Sequence, residues 1–221
     1  MGFAMAIDGP AGAGKSTIAK LTGKKLGLTY IDTGAMYRAT AYYFVKNDVN
    51  PDNEAEVNKA CESINISIEY NAEGQQVILN DNNITSHLRE EAIGKMASRV
   101  AKLSRVRSKL VALQREMAAN GKVIMDGRDI GTCVLPDAEA KVYLTASSKV
   151  RAKRRYDELV AKGQKCDVDE IEKDIINRDY EDMNREISPL KQADDAICVD
   201  TSDMTIEEVV AKLIEIYEER A

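Results

Sequence analysis

Short apolar segments alternate with stretches of helical periodicity along much of the chain. Strands are predicted at Phe3–Ile7 and Leu28–Ile31, and each is followed by a helix, at Lys15–Leu26 and Ala35–Lys46. Gly27 follows the first helix, where a left-handed glycine is a common cap. This alternation predicts an α/β protein with a parallel sheet, whose ligands bind beyond the carboxyl ends of the strands.

The same alternation continues in the second half of the chain. The last helix opens with a capping box, Thr205-Ile-Glu-Glu208. Ahead of it the pattern predicts a strongly basic helix at Ser147–Lys162, a strongly charged helix at Val168–Arg185, and strands at Lys122–Met125, Ala140–Leu144 and Ala196–Val199.

A different period interrupts the alternation in the middle of the chain. Apolar residues at every second position from Ile64 to Tyr70 predict a half-buried strand. The turn Asn71–Gly74 and a second strand at Gln75–Asn80 complete an antiparallel hairpin. This small sheet reads as an insertion, and the helices around it are predicted at Asn53–Glu62, Glu90–Leu103 and Arg105–Ala119, the last closed by Asn120–Gly121.

Charge and cysteine content narrow the possible partners. The 221 residues carry a net charge of -6, so we expect no nucleic-acid partner and local basic side chains at any phosphate site. The four cysteines have no paired spacing, which favours reduced thiols over a zinc site or disulfides. With neither a targeting segment nor an apolar run of about 20 residues, we expect a cytoplasmic protein that does not bind membranes.

The segment between the first strand and the first helix fits the phosphate-binding pattern G-x-x-x-x-G-K-[ST]. Its glycines let successive backbone N–H groups point at a phosphate, and the helix N-terminus adds partial positive charge. Lys15 is expected to bridge the β- and γ-phosphates, and the Ser16 hydroxyl to hold Mg²⁺. The predicted ATP-binding residues are Gly9, Pro10, Ala11, Gly12, Ala13, Gly14, Lys15, Ser16 and Thr17.

Two further loops supply candidate partners for an acceptor. Asp126-Gly-Arg-Asp129 follows a predicted strand, where Asp126 can organise Mg²⁺ through water and Arg128 can reach a phosphate. Arg38 lies in the first turns of a helix after the second strand, beyond Asp32. Guanine specificity is disfavoured, because Asn58-Lys59 continues without the aspartate of an Asn-Lys-x-Asp element.

Five segments together resemble bacterial cytidylate kinases, over nearly the whole chain. They are IDGPAGAGKST, DTGAMYR, ASRVAKLSRVR, DGRDIGT and NRDYEDMNR. The resemblance implies a P-loop NTPase-type three-layer fold with a central parallel sheet, an inserted domain that binds the nucleoside monophosphate, and a short helical lid. It places the P-loop core at 1–34, 104–146 and 186–221, the insertion at 35–103, and the lid with its flanking helices at 147–185.

The resemblance also implies an activity, in which ATP with Mg²⁺ phosphorylates CMP and dCMP to the diphosphates as part of pyrimidine nucleotide metabolism. We expect the protein to be a monomer. Arg38 and Arg128 would face the acceptor phosphate, and Thr33 stands where family members often have serine. The implied CMP-binding residues are Thr33, Arg38, Ser98, Arg107, Arg128, Asp129, Arg178, Asp182 and Arg185. The implied catalytic residues are Lys15, Asp126, Arg128, Arg151 and Arg155.

Base recognition has a chemical reason of its own. The exocyclic amino group of cytosine can donate to Asp129, while Ser98 and Arg107 donate to the ring acceptors. Uracil would present a carbonyl to Asp129 instead. A site in which the wrong base leaves a buried polar group unpaired discriminates strongly against that base. Two alternatives stay open from the sequence: a nucleotide-sensing switch, and a kinase with a non-nucleotide acceptor such as shikimate.

Overall fold

The computed structural model describes residues 2–72, 74–119 and 121–221, so Glu73 and Asn120 of the predicted turns lie outside the described residues. Its strands are β1 (Ala4–Asp8), β2 (Thr29–Asp32), β3 (Ile66–Asn71), β4 (Gly74–Leu79), β5 (Asn82–Asn83), β6 (Val123–Asp126), β7 (Ala140–Thr145) and β8 (Ile197–Asp200). Its α-helices are α1 (Lys15–Leu26), α2 (Thr33–Lys46), α3 (Glu54–Ser63), α4 (Glu91–Val100), α5 (Ser104–Ala119), α6 (Ser148–Ala161), α7 (Val168–Asn184) and α8 (Ile206–Glu218).

The central sheet has five strands in the order β2-β6-β1-β7-β8. β1 pairs in parallel with both β6 and β7, and β7 pairs in parallel with β8. Ile7 lies opposite Asp126, and Asp8 lies opposite Tyr143. Strand β1 and both of its neighbours therefore deliver the residues that follow them to the same edge, which confirms the predicted α/β fold.

The chain divides into two compact units, Met1–Tyr30 with Asn120–Ala221, and Ile31–Ala119. In the first unit, β1, β6 and β7 present apolar side chains to α1 and α8. Phe3, Met5, Leu144 and Leu213 belong to this buried cluster, and the Phe3 ring meets Tyr217 edge-on at 4.5 Å. Burying a side chain of this size contributes about 1.5–3 kcal/mol to the free energy of unfolding. The cluster therefore anchors β1, the strand that precedes the glycine-rich segment.

The second unit combines α2, α3, α4 and α5 with the antiparallel sheet β3-β4-β5. The predicted hairpin is confirmed, with Ile66 opposite Leu79 and Asn71 opposite Gly74. The third strand, β5, was not predicted, because two exposed asparagines give no alternating pattern. Helix α4 is shorter than the predicted Glu90–Leu103, since it stops at Val100 and the chain turns before α5.

Helix ends follow the local sequence closely. Gly27 ends α1 in the left-handed conformation (φ 67°), as predicted. Thr205 and Glu208 form both hydrogen bonds of the predicted capping box at the start of α8. Between β6 and β7, however, Ile130–Val134 forms a five-residue π-type turn that the sequence pattern does not indicate.

Candidate functional site

A glycine loop joins β1 to α1 in the first unit. Gly9, Gly12 and Gly14 all have positive φ, at 146°, 77° and 85°. At Gly9 a Cβ would lie 2.0 Å from the carbonyl oxygen of Leu144, so β7 also excludes a side chain there. The backbone can therefore curve tightly beside the N-terminus of α1, which is the geometry that presents N–H groups to a phosphate.

Lys15 is buried at the first position of α1. Its Nζ donates a hydrogen bond to the carbonyl oxygen of Pro10, at 2.7 Å. Burial lowers the pKa of Lys15 well below its ordinary value, and the charge of Arg128 lowers it further, while nearby carboxylates act in the opposite direction. Lys15 and Arg128 belong to the segments that follow two neighbouring strands, β1 and β6.

Ser16 and Asp126, the predicted Mg²⁺ residues, are in direct contact. Ser16 Oγ donates to Asp126 Oδ2 at 2.8 Å, and Tyr30 Oη donates to Asp126 Oδ1 at 2.9 Å. Within the described residues, no group of three or more His, Cys, Asp or Glu side chains could hold a metal. A hydroxyl beside a single carboxylate fits Mg²⁺, which usually takes one or two protein oxygens together with waters and substrate phosphates.

Arg128 and Arg185 each lie beside aspartates. Arg128 Nε donates to Asp182 Oδ2 at 2.9 Å. The Arg185 guanidinium is 3.6 Å from Asp129 Oδ1 and 3.9 Å from Asp182 Oδ1, and its Nε donates to the carbonyl oxygen of Ser188 at 2.6 Å. The structure thus brings together four of the predicted CMP-binding residues, in one cluster of paired charges.

Asp8, which the sequence analysis did not single out, is hydrogen-bonded to the segment that follows Asp129. Its buried carboxylate accepts hydrogen bonds from the backbone N–H groups of Ile130 (2.8 Å) and Gly131 (2.7 Å). Burial raises the pKa of Asp8 to about 6; Asp129 also raises it, whereas the two hydrogen bonds and Lys15 lower it. The available signal was a carboxylate at the end of a buried strand, directly before the glycine loop.

The two predicted lid arginines have different surroundings. Arg151 is buried: its Nε donates to Ala146 O (2.8 Å), its Nη1 to Ala11 O (2.9 Å), and its Nη2 pairs with Asp179 at 2.6 Å. Arg155 is half exposed and pairs with Glu158 one turn further along α6. Arg151 therefore contacts the phosphate loop directly, and Arg155 lies on the surface of the helix.

In the second unit, Thr33 and Arg38 lie on the first two turns of α2. Asp32 caps this helix by accepting from Ala35 N at 2.8 Å, and its other oxygen accepts from Arg38 Nη2 at 3.1 Å. A Cβ on Gly34 would lie 3.2 Å from Arg38 Nη1, so the guanidinium folds back over the start of the helix. Thr33 is buried at the first position of the same helix.

Arg107 is buried on α5 of the same unit. Its guanidinium lies 5.8 Å from the centre of the Tyr37 ring, and its Nη1 is 3.5 Å from the carbonyl oxygen of Ala101. Ser98 is half-buried on α4, which packs against α2. The predicted set therefore divides by unit. The first unit holds Arg128, Asp129, Arg178, Asp182 and Arg185, with Arg178 exposed on α7, and the second holds Thr33, Arg38, Ser98 and Arg107.

Strand, glycine loop, buried lysine and helix define a protein of the P-loop class. A shikimate kinase from Bacteroides thetaiotaomicron shares the fold, with a TM-score of 0.51 and 16% identity over 98% of each chain. A Thermus thermophilus protein, TT1252, gives a TM-score of 0.53 at 13% identity, over 100% of this chain and 98% of its own. Among the described residues, no helix has both the length and the apolar character to cross a bilayer.

Sequence comparisons identify the family. The family model described as cytidylate kinase matches residues 5–219. A cytidylate kinase from Carboxydothermus hydrogenoformans is 48% identical over 212 residues, 96% of each chain. One from Geobacillus sp. (strain WCH70) is 47% identical over 216 residues, 98% of this chain and 96% of the relative. The chain belongs to the cytidylate kinase family.

Proposed function

We propose that this protein transfers the γ-phosphoryl group of ATP to CMP or dCMP, with Mg²⁺, and releases the diphosphate. The observation that carries the proposal is that neighbouring strands β1 and β6 lead into the glycine loop with the buried Lys15 and into the segment with the Arg128–Asp182 pair. Cations delivered to one edge of the sheet by two neighbouring strands suit a place where two phosphates meet. A nucleotide-sensing switch would need no second cationic group of this kind.

The donor side is assigned to the glycine loop. The backbone N–H groups of residues 9–17 and the N-terminus of α1 would cradle the β-phosphate, and Lys15 would contact the β- and γ-phosphates. Ser16 and Asp126 are the residues that would hold Mg²⁺, Asp126 through water. When bound, the ion supplies positive charge that offsets the charge on the phosphate oxygens.

The acceptor side is assigned to the arginines and to the base-reading residues. We assign Arg38 and Arg128 to the CMP phosphate, Arg178 and Asp182 to the sugar, and Asp129 with Ser98 and Arg107 to cytosine. Thr33 and Arg185 belong to the same acceptor set. A carboxylate accepts from the cytosine amino group but repels the carbonyl of uracil, which accounts for a preference for CMP.

This chemistry needs no general base. A phosphate monoester has a second pKa of about 6, by analogy with phosphoserine, so its attacking oxygen is already ionised near neutral pH. Catalysis then consists of aligning the two phosphates in line and stabilising the charge on the transferred group. Arg151, which already contacts Ala11 of the loop, and Arg155 are the proposed cations on the lid helix.

The test is a coupled assay of ADP release from ATP across CMP, dCMP, UMP, AMP and shikimate. We expect CMP and dCMP to support the highest kcat/KM. The Asp129→Asn variant should narrow the preference for CMP over UMP, because an amide can donate to the uracil carbonyl. Shikimate as the best acceptor would establish a non-nucleotide kinase, and ATP binding without turnover of any acceptor would establish a switch.

A further inference from the structure

Asp8 connects the start of the phosphate loop to the segment that follows Asp129. Each of its carboxylate oxygens accepts one backbone hydrogen bond, Oδ1 from Ile130 at 2.8 Å and Oδ2 from Gly131 at 2.7 Å. The two donors are more than 120 residues away in sequence. Asp8 is 5% exposed, and both of its carboxylate oxygens are already occupied by backbone donors of this segment.

We call the two hydrogen bonds from Ile130 and Gly131 to Asp8 the clamp, and they affect how Asp129 is held. Ile130 and Gly131 begin the π-type turn in which the N–H groups of Cys133 and Val134 bond to the Asp129 carbonyl oxygen, at 2.9 and 3.1 Å. With the N–H groups after Asp129 and its carbonyl all engaged, the backbone has little freedom to rotate there. The clamp therefore fixes the backbone from which the Asp129 side chain extends, with its Oδ1 3.6 Å from the Arg185 guanidinium.

The Lys141 side chain and the Asp8 carboxylate both border the space beside Gly131. A Cβ on Gly131 would lie 3.2 Å from Lys141 Cδ and 3.5 Å from Asp8 Oδ2. The second carboxylate, Asp129, is near enough to raise the pKa of Asp8, and Lys15 opposes that effect. A buried carboxylate beside another is a costly arrangement, so its two short hydrogen bonds indicate a positional role.

We propose that Asp8 is a positioning residue for base specificity: by clamping Ile130 and Gly131, it holds Asp129 in the orientation that accepts the cytosine amino group. This inference rests on the proposed function, because it assumes that Asp129 reads cytosine. It goes further by placing a specificity determinant outside the set of residues that contact the nucleotide.

The test compares kcat/KM for CMP and for UMP in Asp8→Asn and in wild type. An asparagine can accept from only one of the two N–H groups and turns its own N–H₂ toward the other, so Asp129 should lose its fixed direction. We expect the ratio of kcat/KM values for CMP over UMP to fall about tenfold or more, chiefly through KM for CMP, with KM for ATP changed less than about twofold. The control is Asp203→Asn, which removes an exposed carboxylate of the same unit and should leave the ratio unchanged.

A second variant keeps the test decisive if Asp8→Asn does not fold. Asp8→Glu keeps the charge and moves the carboxylate by one methylene group, out of the position in which it accepts from both N–H groups, so it should also lower the ratio. A folded Asp8→Asn or Asp8→Glu enzyme with the wild-type ratio would overturn the positioning role. Wild-type protein that does not phosphorylate CMP would instead refute the proposed function, and the two failures are therefore distinguishable.

Discussion

The buried ion pair between Arg151 and Asp179 can be compared with an exposed pair on the same helix. The comparison measures how much stability is lost when a buried charge is left unpaired. Their side chains are 6% and 13% exposed, and Asp179 Oδ2 lies 2.6 Å from Arg151 Nη2. On the same helix α6, Arg155 pairs with Glu158 at 2.8 Å, with 49% and 40% exposure. Both acids can be replaced by alanine in a helix, so the two variants differ mainly in the solvation of the arginine that is left behind.

Asp179→Ala leaves the Arg151 charge buried with only two carbonyl partners. Removing one partner of a buried pair costs about 3–5 kcal/mol, and the two remaining carbonyl bonds favour the lower end, about 3 kcal/mol. For a protein of this size that corresponds to a fall in Tm of about 6–12 °C. Glu158→Ala removes two exposed pairs, with Arg155 and with Lys162, and should cost about 1 kcal/mol or less, because water solvates both cations.

The assay is urea unfolding followed by far-UV circular dichroism, since the chain contains no tryptophan. A double variant, Arg151→Met with Asp179→Leu, removes both charges and should recover much of the stability lost in Asp179→Ala. If Asp179→Ala and Glu158→Ala lose equal free energy of unfolding, or the double variant is less stable than the single one, the burial argument is refuted.

Two further predictions concern the edge of the sheet where β1 ends. Gly9→Ala should abolish ATP binding and lower the free energy of unfolding, because its Cβ would lie 2.0 Å from the Leu144 carbonyl oxygen. The control is Gly94→Ala on α4, where a Cβ meets nothing within 4 Å, and it should raise the free energy of unfolding by up to about 1 kcal/mol. Equal effects of the two substitutions would contradict the steric argument. Burial raises the pKa of Asp8 from its ordinary value of 3.8 to about 6. As the pH rises, this carboxyl group therefore ionises in the unfolded chain before it ionises in the folded protein, and the free energy of unfolding falls between these two pKa values. Wild type should lose about 2 kcal/mol relative to Asp8→Asn between about pH 4.5 and pH 7, measured by urea unfolding, and a difference that does not vary with pH would refute the shift.

Features encoded in one stretch of sequence were predictable. The glycine loop, the cap at Gly27, the capping box at Thr205 and the hairpin from Ile66 to Leu79 each depend on neighbouring residues, and the structure confirms them. Backbone conformation and short-range hydrogen bonds determine such features, so periodicity and residue type suffice to predict them.

Features that depend on distant packing were not predictable. The Asp8 clamp joins residues more than 120 positions apart, which no local pattern reveals. Arg151 and Arg155 are four apart on one helix, and the spacing predicts that they share a face. Only the packing of α7 against α6 separates them, because it brings Asp179 to Arg151 and leaves Arg155 at the surface. The domain boundaries and the roles assigned to the site residues remain predictions.

The aspartates around Lys15 affect its charge. Burial and the charge of Arg128 both lower the pKa of Lys15 and favour its neutral form, while the carboxylates of Asp126, Asp8 and Asp182 favour the charged form. Asp182 also fixes Arg128 by accepting from its Nε at 2.9 Å, and Nη1 donates to the Gly127 carbonyl oxygen at 3.2 Å. A side chain held in this way loses less entropy when it binds an anion. Arginine–aspartate pairs recur, in a chain whose net charge is -6, at Arg38–Asp32, Arg128–Asp182, Arg151–Asp179 and Arg185–Asp129. Each pair restricts its arginine, and under the proposed function Arg38 and Arg128 would in this way be held ready for the acceptor phosphate.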